Sequence, residues 1–169
     1  MSGQATGRVE MRRPLEEVFD FVANFENEVR WKPGVVLEMR RETETSGLGA
    51  RYAEVLRAGA GTTTSHFTVT SFEPNRLVGF TSASGTSGIY AFATGGDATE
   101  VSFTVRPTPA GIRSRAGALV RQRALRRRIE GELEQLRRLL EAEATRHRDP
   151  QHRAEHRRSR SPRRLGWQR

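Results

Sequence analysis

The sequence has 169 residues, of which 35% are hydrophobic and 29% charged, which predicts a single domain with at most a short appendage. Because it contains no cysteine, disulfides, thiolate metal sites and cysteine nucleophiles are excluded. No apolar run reaches the roughly 18 to 20 residues of a membrane span, and the N-terminus has no apolar stretch typical of a secretory signal. We therefore expect no membrane span and a cytoplasmic location.

The net charge of +9 is concentrated near the C-terminus. Residues 1–112 carry a net charge of −2, residues 113–145 carry +4 and residues 146–169 carry +7. Of the 29 basic residues, 28 are Arg and only Lys32 is Lys, a skew expected of a GC-rich genome. Most of the positive charge therefore lies in a C-terminal tail rather than on a binding face of the folded body.

The first predicted elements are a strand near residues 8–11 and two short helices. After Pro14, apolar residues recur at helical spacing: Leu15, Val18, Phe19 and Val22. Asn24 interrupts this pattern, and the second helix should end before Pro33, since the residue preceding a proline disfavours helical geometry.

From residue 35 onwards the apolar pattern alternates with a period of two, which predicts strands. Glycine or proline separates six such runs, at residues 35–43, 50–57, 62–72, 76–82, 88–93 and 99–105. Because the linkers are short, we expect an antiparallel meander.

The final predicted element is a long amphipathic helix. One face carries an apolar stripe of Leu125, Ile129, Leu133, Leu136 and Leu140, which must be buried against the sheet. Residues 146–169 have almost no aliphatic side chains, so they cannot offset the entropy cost of folding. We expect this Arg-rich tail to be disordered and residues 7–145 to form the domain.

This order of elements is that of the helix-grip fold. The predicted class is α+β, with a curved antiparallel sheet of about seven strands wrapped around a long C-terminal helix and two short helices after the first strand. Such a sheet leaves a hollow between itself and the helix, and small-molecule sites are mostly apolar hollows of this kind.

Several sequence segments also resemble a known superfamily. They are Arg13-Pro14, Val18-Phe19, Phe21, Asn24, Glu26-Asn27, Trp31 to Gly34, Gly47 to Gly49, Phe72 to Leu77, Tyr90 to Phe92 and Thr99 to Phe103. In order and spacing they are similar to the polyketide cyclase/dehydrase-like branch of the START/Bet v 1-like (SRPBCC) superfamily. The resemblance covers roughly residues 7–143. It implies a cavity that binds hydrophobic small molecules, lipids among them, with catalysis in some members only.

Strand alternation predicts which side chains line the cavity. The inward candidates are Phe67, Val69, Phe80, Tyr90, Phe92 and Phe103. Alternatively, these side chains simply fill the core. Trp31 could cap the mouth of the cavity or serve as an ordinary packing anchor.

Polar candidates for chemistry are few. If Tyr52 faces inwards, Glu54 does too, and desolvation would then raise the pKa of its carboxyl; otherwise Glu54 is a surface group. His66 alternates with Phe67 and should face solvent. No catalytic triad, phosphate loop or metal-ligand cluster is evident, so we expect no cofactor and no metal.

Three functions remain open. The first is a binding module that carries, stores or senses a small hydrophobic ligand. The second is an aromatase/cyclase-type enzyme, which requires an interior acid or base. The third is weak, nonspecific contact between the Arg-rich tail and nucleic acid. The sequence leaves the ligand and the oligomeric state open.

Overall fold

The computed structural model describes residues 3–108 and 115–148. Seven strands and three α-helices follow each other along this part of the chain. They are β1 (Ala5–Met11), α1 (Leu15–Ala23), a 3₁₀ turn (Phe25–Asn27), α2 (Glu28–Trp31), β2 (Val36–Arg41), β3 (Arg51–Ala58), β4 (Gly61–Glu73), β5 (Leu77–Ser82), β6 (Ser87–Gly95), β7 (Ala98–Arg106) and α3 (Arg115–Arg148).

The strands form one antiparallel sheet in the order β1-β7-β6-β5-β4-β3-β2. Strands β2 to β7 are a meander, and β1 pairs with β7 from Ala5 opposite Val105 to Met11 opposite Thr99. The register shifts by one residue between Val69 and Ser71 of β4, and again within β2. Such bulges bend a strand and increase its twist, so the sheet curls into a half-barrel.

The two short helices connect the opposite edges of the sheet. Pro14 precedes α1, where its fixed φ favours helix entry, and α1 buries Val18, Phe19 and Val22. Asn24 ends α1, and its side chain accepts a hydrogen bond from the Glu26 amide at 3.3 Å. The chain then turns directly into α2, which packs against β2 and α3.

Helix α3 crosses the concave face of the sheet. Four residues of its apolar stripe are buried as predicted, with Ile129, Leu133, Leu136 and Leu140 each no more than 3% exposed; the fifth, Leu125, is only partly buried. Gly7 in β1 makes this close approach possible, because a Cβ there would lie 2.6 Å from the Ile129 Cγ2 atom. The helix and the concave face of the sheet therefore share one core.

These observations confirm the α+β helix-grip fold. Several predicted boundaries differ by one to three residues: for example, β1 begins at Ala5, β2 ends at Arg41, and α3 continues to Arg148, into the predicted tail. Extending an existing helix adds one hydrogen bond per residue without a new nucleation cost, so polar residues can prolong it past the apolar stripe. Residues 149–169 of the predicted tail lie outside the described residues.

Candidate functional site

A pocket of about 240 Å³ lies between the curled sheet and α3. Strands β2, β3, β4, β5 and β7 contribute side chains to one wall, α3 contributes the opposite wall, and α2 closes one end. The aliphatic part of the lining consists of Val36, Leu56, Val105, Leu125 and Ile129. The pocket is therefore the hollow that a helix-grip architecture creates.

Four phenylalanines form an aromatic wall in this pocket: Phe25, Phe67, Phe80 and Phe103. The Phe25 ring meets Phe67 and Phe80 edge to face, with ring centroids 5.1 and 5.6 Å apart. Gly88 makes room for this wall, because a Cβ there would lie 2.6 Å from Phe80 Cζ and 3.0 Å from Phe103 Cε2. The aromatic wall thus depends on a residue without a side chain.

A buried hydrogen-bonded triad stands at the α2 end of the pocket. Lys32 Nζ donates to Glu28 Oε1 at 2.8 Å and to the Tyr90 hydroxyl at 2.9 Å, and that hydroxyl donates to Glu28 Oε1 at 3.1 Å. The ammonium also lies 4.6 Å from the Trp31 ring centroid and 5.3 Å from that of Phe103. Burial, and then the nearby Glu28 carboxylate, raise the pKa of Tyr90 well above its usual value, so Tyr90 stays a phenol.

Glu54 lies on the inner face of β3 and lines the pocket. Burial raises the pKa of its carboxyl, and the Glu28 carboxylate adds to the shift. The Ser65 hydroxyl, opposite Glu54 in β4, favours the ionised form and partly opposes the shift. Glu54 is therefore a partly desolvated acid facing the pocket, as expected if Tyr52 points inwards.

Helix α3 supplies a second ion pair, at the mouth of the pocket. Arg128 Nε lies 2.7 Å from Glu132 Oε1, with the arginine side chain 55% exposed and the glutamate side chain 10% exposed. Both residues line the pocket. Solvent therefore reaches the pocket beside Arg128.

The predicted ligand-binding residues fall into two groups. Glu54, Phe67, Phe80 and Phe103 line the pocket. The others are buried in the core around it: Trp31, Tyr52, Val69, Tyr90 and Phe92.

Two of these core residues support the wall from behind. The Tyr52 ring stacks on Phe67 at 5.2 Å, and the Tyr90 ring stacks on Phe103 at 3.9 Å. Phe92 instead contacts Phe19 of α1 at 5.2 Å. Trp31 packs edge-on against Tyr90 at 6.2 Å, which is the position of a packing anchor rather than of a cap at the mouth.

Sequence reasoning missed the lining residues that the helices supply. Strand alternation identifies inward positions only in strands, whereas Phe25 lies in the 3₁₀ turn, Glu28 in α2 and Lys32 directly after α2. One signal was present, because Lys32 is the single lysine among 29 basic residues. Arg128 and Glu132 each precede a residue of the predicted apolar stripe, which places them at its edge.

His66 lies on the outer face of the sheet, as expected. Its side chain is 54% exposed, and its Nδ1 atom lies 3.5 Å from Glu42 Oε2. It has no access to the pocket. Within residues 3–108 and 115–148, no group of three or more His, Asp or Glu side chains is placed to hold a metal ion.

A larger open cleft of about 820 Å³ lies near the opposite end of α3, lined by Arg12, Arg13, Glu17, Arg137 and Glu141 among others. Three of its carboxylates have partners within the protein: Glu17 pairs with Arg13 and Glu143 with Arg30, and Glu141 accepts a hydrogen bond from the backbone amide of Arg12 at 3.0 Å. It has no aromatic wall, so it does not suit an apolar ligand.

No helix in the described part of the chain has the length and apolarity needed to cross a bilayer.

Solved structures share this fold. One is TTHA0849 from Thermus thermophilus, with 18% identity and a TM-score of 0.66, covering 82% of this chain and 97% of that one. Another is the Polyketide_cyc-like protein Cgl2372 from Corynebacterium glutamicum, with 21% identity and a TM-score of 0.63, covering 88% and 97%.

A third similar structure is the di-domain ARO/CYC StfQ from the steffimycin biosynthetic pathway, with 11% identity and a TM-score of 0.66. The match covers 85% of this chain and 52% of that one. At these identities the three structures show the fold alone. A comparison with curated proteins finds no match.

The sequence itself matches one protein family over residues 2–141, which is most of the chain. The description of that family is "Polyketide cyclase / dehydrase and lipid transport". This match agrees with the superfamily that the sequence segments resemble and with the helix-grip fold. The chain therefore belongs to the polyketide cyclase / dehydrase and lipid transport family.

Proposed function

We propose that this protein binds a small hydrophobic molecule in the pocket between the sheet and α3, in a carrier, sensor or storage role. The observation that carries the proposal is the aromatic wall of Phe25, Phe67, Phe80 and Phe103 facing a hollow of about 240 Å³. Mostly apolar hollows with a few convergent polar groups are typical of small-molecule sites. Family membership supports the same interpretation.

The pocket volume limits the ligand. It lies below the roughly 300 to 1,000 Å³ of sites for drug-sized molecules. A compound with one or two rings suits this volume better than a long, fully extended chain.

The proposal is tested by blocking the pocket from α3. Leu125 lines the pocket, whereas Leu119 on the same helix is 57% exposed. We expect Leu125→Trp to weaken binding of aromatic probes such as 2-naphthalenemethanol by about tenfold or more, which corresponds to roughly 1.4 kcal/mol. Leu119→Trp is the matched control and should bind like the wild type.

Isothermal titration calorimetry with one-ring and two-ring aromatic probes and decanoic acid measures this effect. Native mass spectrometry of the purified protein shows in parallel whether a molecule copurifies. If the wild-type protein binds none of the probes and carries no copurified molecule, the proposal is wrong. Equal affinity in both tryptophan variants would place the binding site elsewhere.

A cyclase-type enzyme is the second candidate, because an acid and a phenol reach or adjoin the same pocket. Glu54 could exchange protons with a bound carbonyl compound, as general acids and bases do. On this hypothesis Glu54→Gln lowers turnover by about two to four powers of ten while binding persists. Product analysis of a bound poly-β-ketone substrate would distinguish it from a binding role.

A further inference from the structure

The pocket is lined by more acidic than basic side chains. Glu28 pairs with Lys32 at 2.8 Å, and Glu132 pairs with Arg128 at 2.7 Å. Glu54 is the fifth charged lining residue, and it forms no salt bridge within the described residues. The described lining of the pocket therefore carries three carboxylates and two cations, and Glu54 is the carboxylate left without an ion pair.

Lys32 and Arg128 both favour the ionised form of Glu54 through Coulomb interactions, but each is engaged in an ion pair with a different carboxylate. Lys32 is held by Glu28 and by Tyr90 at 2.9 Å, with its ammonium over the Trp31 ring. Moving it to Glu54 would leave the buried Glu28 carboxylate unpaired, which is strongly unfavourable. Arg128 is drawn instead to Glu132, whose side chain is only 10% exposed.

The walls around Glu54 suit a positive charge as well as an apolar body. Faces of aromatic rings attract cations, and Phe25, Phe67 and Phe80 share the pocket with Glu54. The protein already uses this interaction at the α2 end of the pocket, where the Lys32 ammonium lies 5.3 Å from the Phe103 ring centroid.

We propose that the pocket selects a small cationic amine, with its ammonium group against Glu54 and its hydrocarbon rings against the phenylalanine wall. The inference rests on the proposed binding function and names the ligand class of that same pocket. A volume of 240 Å³ is that of about eight water molecules in the liquid, so the amine carries one or two rings.

Other ligand charges fit this site less well. A carboxylate ligand would enter a lining that already carries three carboxylates, Glu28, Glu54 and Glu132, against two cations, Lys32 and Arg128. A neutral ligand would remove water from Glu54 without supplying a counter-charge, and burial together with Glu28 already raises the pKa of this carboxyl. An ammonium group lowers that pKa instead, because an opposite charge favours the ionised form.

Three probes of matched shape test the inference: 2-naphthylmethylamine, 2-naphthalenemethanol and 2-naphthoate. Calorimetric titration of the full chain at pH 7 gives the affinity of each. We expect the amine to bind about tenfold or more tightly than the alcohol, a typical gain for a partly desolvated ion pair with aromatic contacts. The carboxylate should bind most weakly.

Two variants test which charged side chain causes the preference for the amine. Glu54→Gln should remove the advantage of the amine over the alcohol while leaving alcohol affinity within a few fold. Arg128→Gln should tighten the amine and weaken the carboxylate, because it removes a positive charge from the mouth of the pocket. The matched controls are Glu38→Gln and Arg126→Gln, since both residues are exposed and lie outside the pocket.

The outcomes separate this inference from the binding function. Alcohol affinity equal to or above that of the amine overturns the amine inference and leaves the binding function intact. No binding of any of the three probes overturns both. Should Glu54→Gln fail to fold by circular dichroism, Arg128→Gln decides: unchanged or weaker amine binding overturns the inference, and tighter binding supports it.

Discussion

Lys32 and Glu28 show how a buried ion pair constrains single residues in this protein. Their side chains are 8% and 5% exposed, so both charges have lost most of their water. Removing one partner leaves the other charge buried and unpaired, whereas replacing both with apolar groups of similar volume is often nearly neutral.

This asymmetry predicts the result of a double-mutant cycle in urea unfolding. Lys32→Met alone should lower the free energy of unfolding by about 3 to 5 kcal/mol. The double variant Lys32→Met/Glu28→Leu should recover much of that loss. Arg76→Met, at an exposed pair with Glu73, should cost less than about 1 kcal/mol. If the loss of unfolding free energy in the double variant equals the sum of the losses in Lys32→Met and Glu28→Leu alone, the two charges do not depend on each other.

The raised pKa of Glu54 predicts a pH-dependent stability. An acid with a raised pKa in the folded state binds its proton more tightly there, so its contribution is favourable below the unfolded pKa and is lost as pH rises through the folded pKa. The groups that act on this carboxyl are Glu28 of α2, Lys32 directly after α2, Arg128 of α3 and Ser65 of β4. Glu54→Gln should therefore raise the thermal midpoint at pH 7.

At pH 4 this gain should shrink or vanish, because Glu54 is then largely protonated in both states. Thermal unfolding by circular dichroism at the two pH values measures the difference. Glu38→Gln, on the exposed side of β2, is the control and should shift the midpoint little at either pH. The change in thermal midpoint caused by Glu54→Gln is compared at the two pH values. A smaller gain at pH 7 than at pH 4 would contradict this account.

At the scale of elements, α3 is stabilised by its buried stripe rather than by its many ion pairs. Leu133 is fully buried, whereas Arg137 is partly exposed and pairs with Glu134. Leu133→Ala should lower the free energy of unfolding by about 2 to 5 kcal/mol, and Arg137→Ala by well under about 1. Chemical unfolding measures both, and equal small losses would mean that α3 does not dock on the sheet.

The sequence predicted the pocket-lining residues of the strands better than those of the helices. Period-two alternation placed Phe67, Phe80 and Phe103 on the inner face, because side chains of a strand point strictly to alternate sides, but it left the side of Glu54 open. It could not tell which inner residues border the pocket and which, such as Val69 and Phe92, fill the core. That distinction depends on where α3 and α2 lie across the sheet.

The fold was predictable because its signals are local. Proline before α1, glycine and proline between strands and a stripe of leucines on α3 each define an element without tertiary information. The triad of Glu28, Lys32 and Tyr90 was not predictable, because Tyr90 is separated from Lys32 by 58 residues. Only the curl of the sheet brings β6 against α2.

At the scale of the whole molecule, the basic tail and the folded body are expected to be independent. Residues 149–169 lie outside the described residues, and their composition predicts no contribution to a core. Truncation after Arg148 should change the thermal midpoint by less than about 5 °C. The same truncation should remove most of any salt-dependent affinity for a nonspecific DNA duplex.

Differential scanning calorimetry and fluorescence anisotropy measure these two effects. A larger loss of stability would show that the tail packs against the body. Salt-independent DNA binding that survives truncation would place the contact on the body instead. The intact chain is the reference for both measurements.

The central claim is that a small hydrophobic ligand occupies the space between the sheet and α3. Nuclear magnetic resonance with methyl-labelled protein and the bound naphthalene probe tests it most directly. We predict intermolecular Overhauser contacts from the rings to the methyl groups of Leu56, Val105 and Leu125, and none to those of Leu140 at the far end of the stripe. Contacts confined to exposed methyl groups such as Leu48 and Ile89 would contradict the claim.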